Sequence, residues 1–314
     1  MRLTVKLQHF RSLAVAVVLA LALPPAARAE ADVSLWDGSR AMADIEAQLR
    51  FTPRSMDMPG HQKTIDYIKA ELAKSGITAV TTQNFVYRGN GKQLALFNVI
   101  ARLNPENPRR VIVATHYDSI VRAYRDPKSP QAAMPGANNS ASGVALLLET
   151  ARVLSASPAP PVGIDLIFFD GEEGPKSLGA GDPEWHPLGS PHFVEHLKDY
   201  YPNGKPEKAV DFDMVCKKNI LLMPEAFSVK TAPAEVKKFW ELGAAIAPKA
   251  FSTKITYPIS DDHTALNEAG IPSFLVIDFE YEPYFNTSED TLDKCSAESL
   301  EAVGRTLLRY LYLP

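Results

Sequence analysis

Apolar positions recur along this chain in two rhythms, one of three to four residues and one of two residues or none. Segments 44–51 and 61–75 space their apolar side chains as amphipathic helices do, with Pro59 and Gly60 opening the second and Gly76 stopping it. Segment 78–87 alternates like a half-buried strand, and 97–103 reads as another. Val111-Ile112-Val113-Ala114 then runs without a polar break, as a central strand covered on both faces should. Segment 164–169 repeats that run, with an Ala- and Leu-rich helix predicted between them over 139–154. Further strands are expected at 211–215 and 273–277, and long amphipathic helices at 234–246 and 297–313. Strands alternating with helices predict the α/β class: a three-layer α/β/α sandwich around a mixed, mostly parallel sheet.

The N-terminus has a different character. Arg2, Lys6 and Arg11 precede an apolar run over 13–23, and Ala27-Arg28-Ala29 follows. Eleven residues rise only about 16 Å as a helix, too little to span a bilayer. The pattern predicts a signal peptide over 1–29 and a single domain over 30–314. The expected destination is the periplasm or the exterior, without a membrane anchor after cleavage. Removing the four basic residues Arg2, Lys6, Arg11 and Arg28 takes the formal net charge from −4 to −8. An acidic chain without Lys/Arg clusters argues against nucleic acid as a partner. Export permits a disulfide, and the two cysteines are Cys216 and Cys295; one bridge and two buried thiols both remain open.

Chemistry is expected beyond the carboxyl ends of the strands. Polar groups collect there: His116-Tyr117-Asp118-Ser119, Asp170-Gly171-Glu172-Glu173-Gly174, Asp213, Ser260-Asp261-Asp262-His263, and Asn286-Thr287. Any one alone reads as a cap or a solvated loop. Together they imply carboxylates that must share protons, a cation or water. Polar, proline-bearing loops over 124–134, 175–188 and 280–290 would form the rim. Trp185 and His186 read first as loop packing, with a covering rim as the functional alternative. His192 and His196 stand four apart on an expected helix, a spacing that can hold metal. Without an acid in a suitable frame they read as a surface face.

HYDS at 116–119, PGANNSASG at 135–143, FFDGEE at 168–173, DMV at 213–215, SDDH at 260–263 and TSEDTLDKCS at 287–296 resemble the ordered motifs of bacterial zinc aminopeptidases. Within that group, FNVIARLNP at 97–105 and the closing RYLYL resemble the glutaminyl-peptide cyclotransferase branch. The resemblance implies one zinc held by an aspartate, a glutamate and a histidine, with a neighbouring glutamate as proton shuttle. Position by position, Glu172 is the shuttle and Glu173 the glutamate ligand. Asp213 and Asp261 support the substrate amine and the shuttle. His116 and Asp118 form a supporting pair, His116 being a ligand of a second metal in two-metal relatives. Asp262, His263, Phe285 and Trp185 fall around the substrate pocket.

Two positions depart from this pattern. Asn139 stands where the aspartate ligand belongs and Asn286 where the histidine belongs. A neutral carboxamide is a poor zinc ligand. Phe285 replaces an aromatic that is usually tryptophan, and Leu275 a polar residue. The leading expectation is a cyclotransferase-like enzyme, closing N-terminal glutamine to pyroglutamate with release of ammonia. The alternatives are a non-catalytic binder of a peptide or protein N-terminus, and an aminopeptidase with an altered metal site. Zinc is the cofactor the resemblance implies, calcium or no metal the alternatives the asparagines raise, and a monomer the expected state.

Overall fold

The computed structural model describes residues 32–89, 91–174 and 185–313. The expected leader at 1–29 lies outside them, and so does most of the 175–188 loop. Six strands form one sheet: β1 (Val80–Gly89), β2 (Lys92–Leu103), β3 (Arg110–His116), β4 (Gly163–Phe169), β5 (Lys208–Asp213) and β6 (Ser273–Ile277). They lie in the order β1-β2-β4-β3-β5-β6. The hairpin β1–β2 joins β4 antiparallel, while β4, β3, β5 and β6 run parallel. The sheet is therefore mixed, with a parallel half.

Why the parallel strands carry unbroken apolar runs is visible in their packing. Val111, Val113, Leu166, Phe168, Val210 and Phe212 face one core, while Ile112, Ala114, Ile167, Phe169 and Ala209 face a second, smaller one. The larger core is covered by α1 (Gly38–Leu49), α2 (Pro59–Lys74), α3 (Ala141–Ser155), α7 (Pro233–Ile246) and α9 (Ala297–Leu311). The smaller is covered by α4 (Gly189–Glu195), α5 (Leu197–Tyr200) and α8 (Asp262–Glu268). One short helix, α6 (Ala226–Thr231), lies against β6 and α7. Burying both faces of each parallel strand supplies the dominant stabilising term, roughly 1.5–3 kcal/mol per large apolar side chain.

The largest departures from the sequence reading fall at three elements. α1 begins at Gly38 rather than 44, because the Asp37 side chain accepts the Ser39 N–H at 2.8 Å and caps it. β2 begins at Lys92, where pairing with Gly89 of β1 extends it beyond its apolar stretch. β5 spans Lys208–Asp213 rather than 211–215, since the chain turns out of the sheet at Met214 with φ 47°.

Cys216 and Cys295 are joined, with Cα atoms 4.6 Å apart, which resolves the alternative between a bridge and two thiols. The bond ties the exit of β5 to the entrance of α9. Among the described residues, no helix is long and apolar enough to cross a membrane.

Candidate functional site

The parallel strands deliver their carboxyl ends to one cleft of about 310 Å³, lined by Asn139, Glu172, Glu173, Trp185, Asp213, Asp261 and Phe285 among others. Its floor is organised by Asp118, just past the end of β3. The carboxylate accepts the N–H groups of Glu172 at 3.1 Å and Glu173 at 3.2 Å, fixing the turn that follows β4. Gly171 begins that turn at φ 71°, a conformation that costs an ordinary residue strain. Burial pushes Asp118 up, but His116 and these two N–H groups outweigh it and leave the carboxyl below its usual range.

His116 is buried between acids. Its Nδ1 lies 3.3 Å from Asp118, and its Nε2 lies 3.3 Å from Asp213 and 3.9 Å from Glu172. Burial opposes its charge, yet Glu172, Asp118 and Asp213 prevail and hold the imidazole well above its ordinary value. A metal at His116 would have to displace the proton that these acids favour on the ring.

The acids of the cleft are pushed the other way. Burial, with Asp261, Glu173 and Asp262 nearby, drives Glu172 well above the ordinary carboxyl range despite His116. Glu173 is raised to about 8, first by burial and then by Asp118 and Asp213. Asp261, the N-cap of α8, is raised to about 6 by burial and by Asp213. Behind it, Asp262 accepts the Ser190 hydroxyl and Asp211 accepts the His263 N–H at 3.0 Å. Burial holds both of these carboxyls high. His263 is fully buried, with Nε2 3.4 Å from Glu225. Burial thus shifts the carboxyls of the site toward their protonated forms.

The three positions expected to hold zinc do not form a zinc site. Asn139 turns its amide nitrogen onto Glu173 Oε1 at 2.7 Å, setting an N–H where a shared cation would require an oxygen lone pair. Asn286 is buried behind the wall, its nitrogen 3.5 Å from the Tyr124 hydroxyl, and it does not line the cleft. Among the described residues, the side-chain oxygens of Asn139 and Asn286 have no hydrogen-bond partner. One carboxylate with two neutral carboxamides lacks the nitrogen, sulfur or paired anionic donors that zinc takes. Among the described residues, His, Cys, Asp and Glu ligand atoms gather within 4.8 Å in two trios, neither containing Glu173. One is Asp211, Asp261 and Asp262, and the other His192, Glu195 and His196.

The cleft thus unites Glu172, Glu173, Asp213, Asp261, Asn139, Phe285 and Trp185. His116, Asp118, Asp262 and His263 are buried and support it from behind. Trp185 forms wall rather than loop packing alone. Leu275 lies with Met214, Ile277, Tyr281 and Phe285 in a small apolar cluster that backs the Phe285 wall. Sequence reasoning missed Asp211, Tyr257, Ile259, Phe279 and Arg54. Asp211 had a signal: it stands two residues before Asp213 in a buried strand, on the same face. Tyr257 and Ile259 immediately precede the SDDH motif and line the cleft with Phe279. Arg54 donates to the carbonyls of Pro135 and Gly136 at 2.8 Å each, bracing the loop that presents Asn139, and nothing local in its sequence marks it.

The sequence model of peptidase family M28 matches residues 98–311. Aminopeptidase YwaD of Bacillus subtilis is 31% identical over 225 residues, covering 68% of this chain and 44% of its own length. The glutaminyl-peptide cyclotransferase of Gloydius blomhoffii is 27% identical, covering 69% of this chain and 66% of its own. The chain thus spans about half to two thirds of the length of these relatives. A crystal structure of Tannerella forsythia glutaminyl cyclase superposes with a TM-score of 0.81 at 32% identity, covering 89% of this chain and 99% of that one.

Proposed function

Because the chain belongs to peptidase family M28, we propose that its cleft receives the N-terminus of a peptide and closes an N-terminal glutamine to pyroglutamate. The position of Glu172 carries this reading. Cyclisation needs one group that takes a proton from the α-amine and returns it to the departing nitrogen. Glu172 lies in the wall of the cleft, against His116 and near Asp261, with its carboxyl raised above the ordinary range first by burial. The ammonium of the peptide would sit among Glu172, Asp213 and Asp261, with its side chain against Phe285 and Trp185. The ammonium first loses a proton to water; the amine nitrogen then attacks the γ-carbonyl carbon, and the adduct nitrogen passes a proton to the ionised Glu172 carboxylate. The bond from that carbon to the carboxamide nitrogen then breaks, and Glu172 protonates the nitrogen as ammonia leaves.

Zinc would supply a Lewis acid for the carbonyl oxygen, but Glu173 with two carboxamides does not suit it. Turnover is accordingly expected to be slow. A second reading, recognition of a peptide N-terminus without turnover, is favoured by the Asn139–Glu173 hydrogen bond. Export of the chain is also proposed, on the leader-like segment 1–29 and on the disulfide.

Glutamine-initiated peptides, with ammonia release and calorimetric binding followed together, test both readings. Release above the spontaneous rate that falls about 10²- to 10⁴-fold in Glu172→Gln supports catalysis. Binding with no release supports recognition alone. Absence of both refutes the assignment of the cleft to peptide N-termini.

A further inference from the structure

Away from the cleft, where α4 meets α5, His192, Glu195 and His196 bring one ligand atom each to within 4.8 Å of one another. Glu195 is the acid that the spacing of the two histidines alone does not reveal. It lies on the turn between them, so the i, i+3 and i+4 positions share one face. We propose that these three side chains form a second site that binds a divalent transition-metal ion of the zinc, nickel or copper type.

The surroundings prepare both imidazoles. His196 Nδ1 donates to the His192 carbonyl oxygen at 2.9 Å. That bond fixes the tautomer, places the lone pair on Nε2 and orients the ring, as the outer partners of metal-binding histidines do. His192 is stacked on Phe85 of β1, with ring centroids 4.2 Å apart and planes 13° apart. The two histidine rings lie 4.3 Å apart, close enough for small rotations about their side-chain bonds to bring both nitrogens to one ion. Glu195 and His196 are exposed and His192 is partly so, which leaves open positions for water. Two imidazole nitrogens and one carboxylate oxygen suit the borderline ions and not calcium or magnesium.

The site is also mechanically tied to the cleft. Ser190 on α4 donates to Asp262, and the Gly189 carbonyl oxygen accepts the Asn98 amide at 2.9 Å. The end of the helix that carries the trio is thus anchored on the carboxylate cluster behind Asp261.

Protein prepared without an affinity tag, stripped with chelator and titrated calorimetrically with zinc chloride and nickel chloride, tests the assignment. One equivalent is expected to bind in the wild type and equally in Glu173→Gln, which excludes the cleft. Affinity should fall at least tenfold in His196→Ala and in His192→Asn, each with unchanged circular dichroism. The cupric complex should show imidazole nitrogen couplings by electron paramagnetic resonance that His196→Ala loses. No binding by the wild type would overturn the proposal. So would binding that survives both histidine substitutions, or binding that only Glu173→Gln removes.

Discussion

Replacing Glu173 by glutamine should make the folded protein more stable at neutral pH, though it alters the centre of the cleft. Burial, with Asp118 and Asp213 close by, raises this carboxyl from 4.5 to about 8. A carboxyl raised on folding binds more protons in the native state than in the unfolded state. Its contribution is therefore fully present below the unfolded value and is lost as pH rises toward and through the folded one. At about 1.36 kcal/mol per pH unit, the rise sets a ceiling of about 5 kcal/mol, roughly half of it lost between pH 5 and pH 7. Glutamine keeps an oxygen for the Asn139 amide, which now donates at 2.7 Å, and removes the titration. Urea unfolding of wild type and Glu173→Gln at pH 5, 6, 7 and 8 measures the difference. The variant should gain on the wild type by about 1 kcal/mol per pH unit across this window. A variant less stable at pH 7 than at pH 5, relative to wild type, would refute the reasoning. It would show that Glu173 is ionised and paired with a cation, and a chelator should then destabilise the wild type.

The double substitution Asn139→Asp with Asn286→His, made in a His196→Ala background so that the α4–α5 site does not contribute, should create stoichiometric zinc binding, measured by metal analysis after dialysis, whereas each single change in that background should give weaker retention or none. Serine at both Cys216 and Cys295 opens a closure spanning 79 residues and should cost about 4 kcal/mol of unfolding free energy in the chain-entropy treatment; an unchanged urea midpoint would contradict it. Gly143→Ala would place a methyl 2.0 Å from the Thr115 hydroxyl oxygen and 2.9 Å from the Phe212 carbonyl oxygen. It should lower stability by about 1–3 kcal/mol through overpacking between α3 and the sheet, read as a drop in melting temperature. Asp118→Asn turns an amide donor toward one of the two N–H groups that the carboxylate now accepts. It should cost about 1–3 kcal/mol and lower the titration of His116, followed by proton NMR.

The fold was legible because its parallel half announces itself. Val111 to Ala114 and the 164–169 run have no polar alternation, and only a strand covered on both faces tolerates that. Their helices are long and amphipathic, so period and burial agree. The antiparallel edge was less legible: β2 extends to Lys92 through pairing with β1, a long-range condition that side-chain pattern does not encode. Site legibility divides along the same line. Residues at strand ends, such as His116 and Asp213, could be placed from the sheet itself. The distance between Cys216 and Cys295, the bracing of the 135–139 loop by Arg54, and the wall formed by Tyr257 and Phe279 depend on segments far apart in sequence. The orientation of the Asn139 amide is legible only where Glu173 is seen opposite it.

That orientation bears on how the cleft keeps its shape with so altered a ligand set. Its two loops are fixed by carboxylates that face backbone. Asp118 holds Glu172 and Glu173 through their N–H groups. Asp290 does the same for Asn138 and Asn139, at 2.9 and 3.1 Å, and takes the Tyr281 hydroxyl at 2.7 Å. Burial raises Asp290 to about 6 against these donors. Asparagine is nearly the shape of aspartate, so position 139 can lose its charge while its backbone remains held. The exchange also answers an electrostatic problem. An aspartate at 139 would add a further carboxyl to a buried site already crowded with them. The neutral amide instead donates to Glu173. The asparagine and the retained glutamate thus form a hydrogen-bonded pair, and the other acids of the cleft keep their places around it.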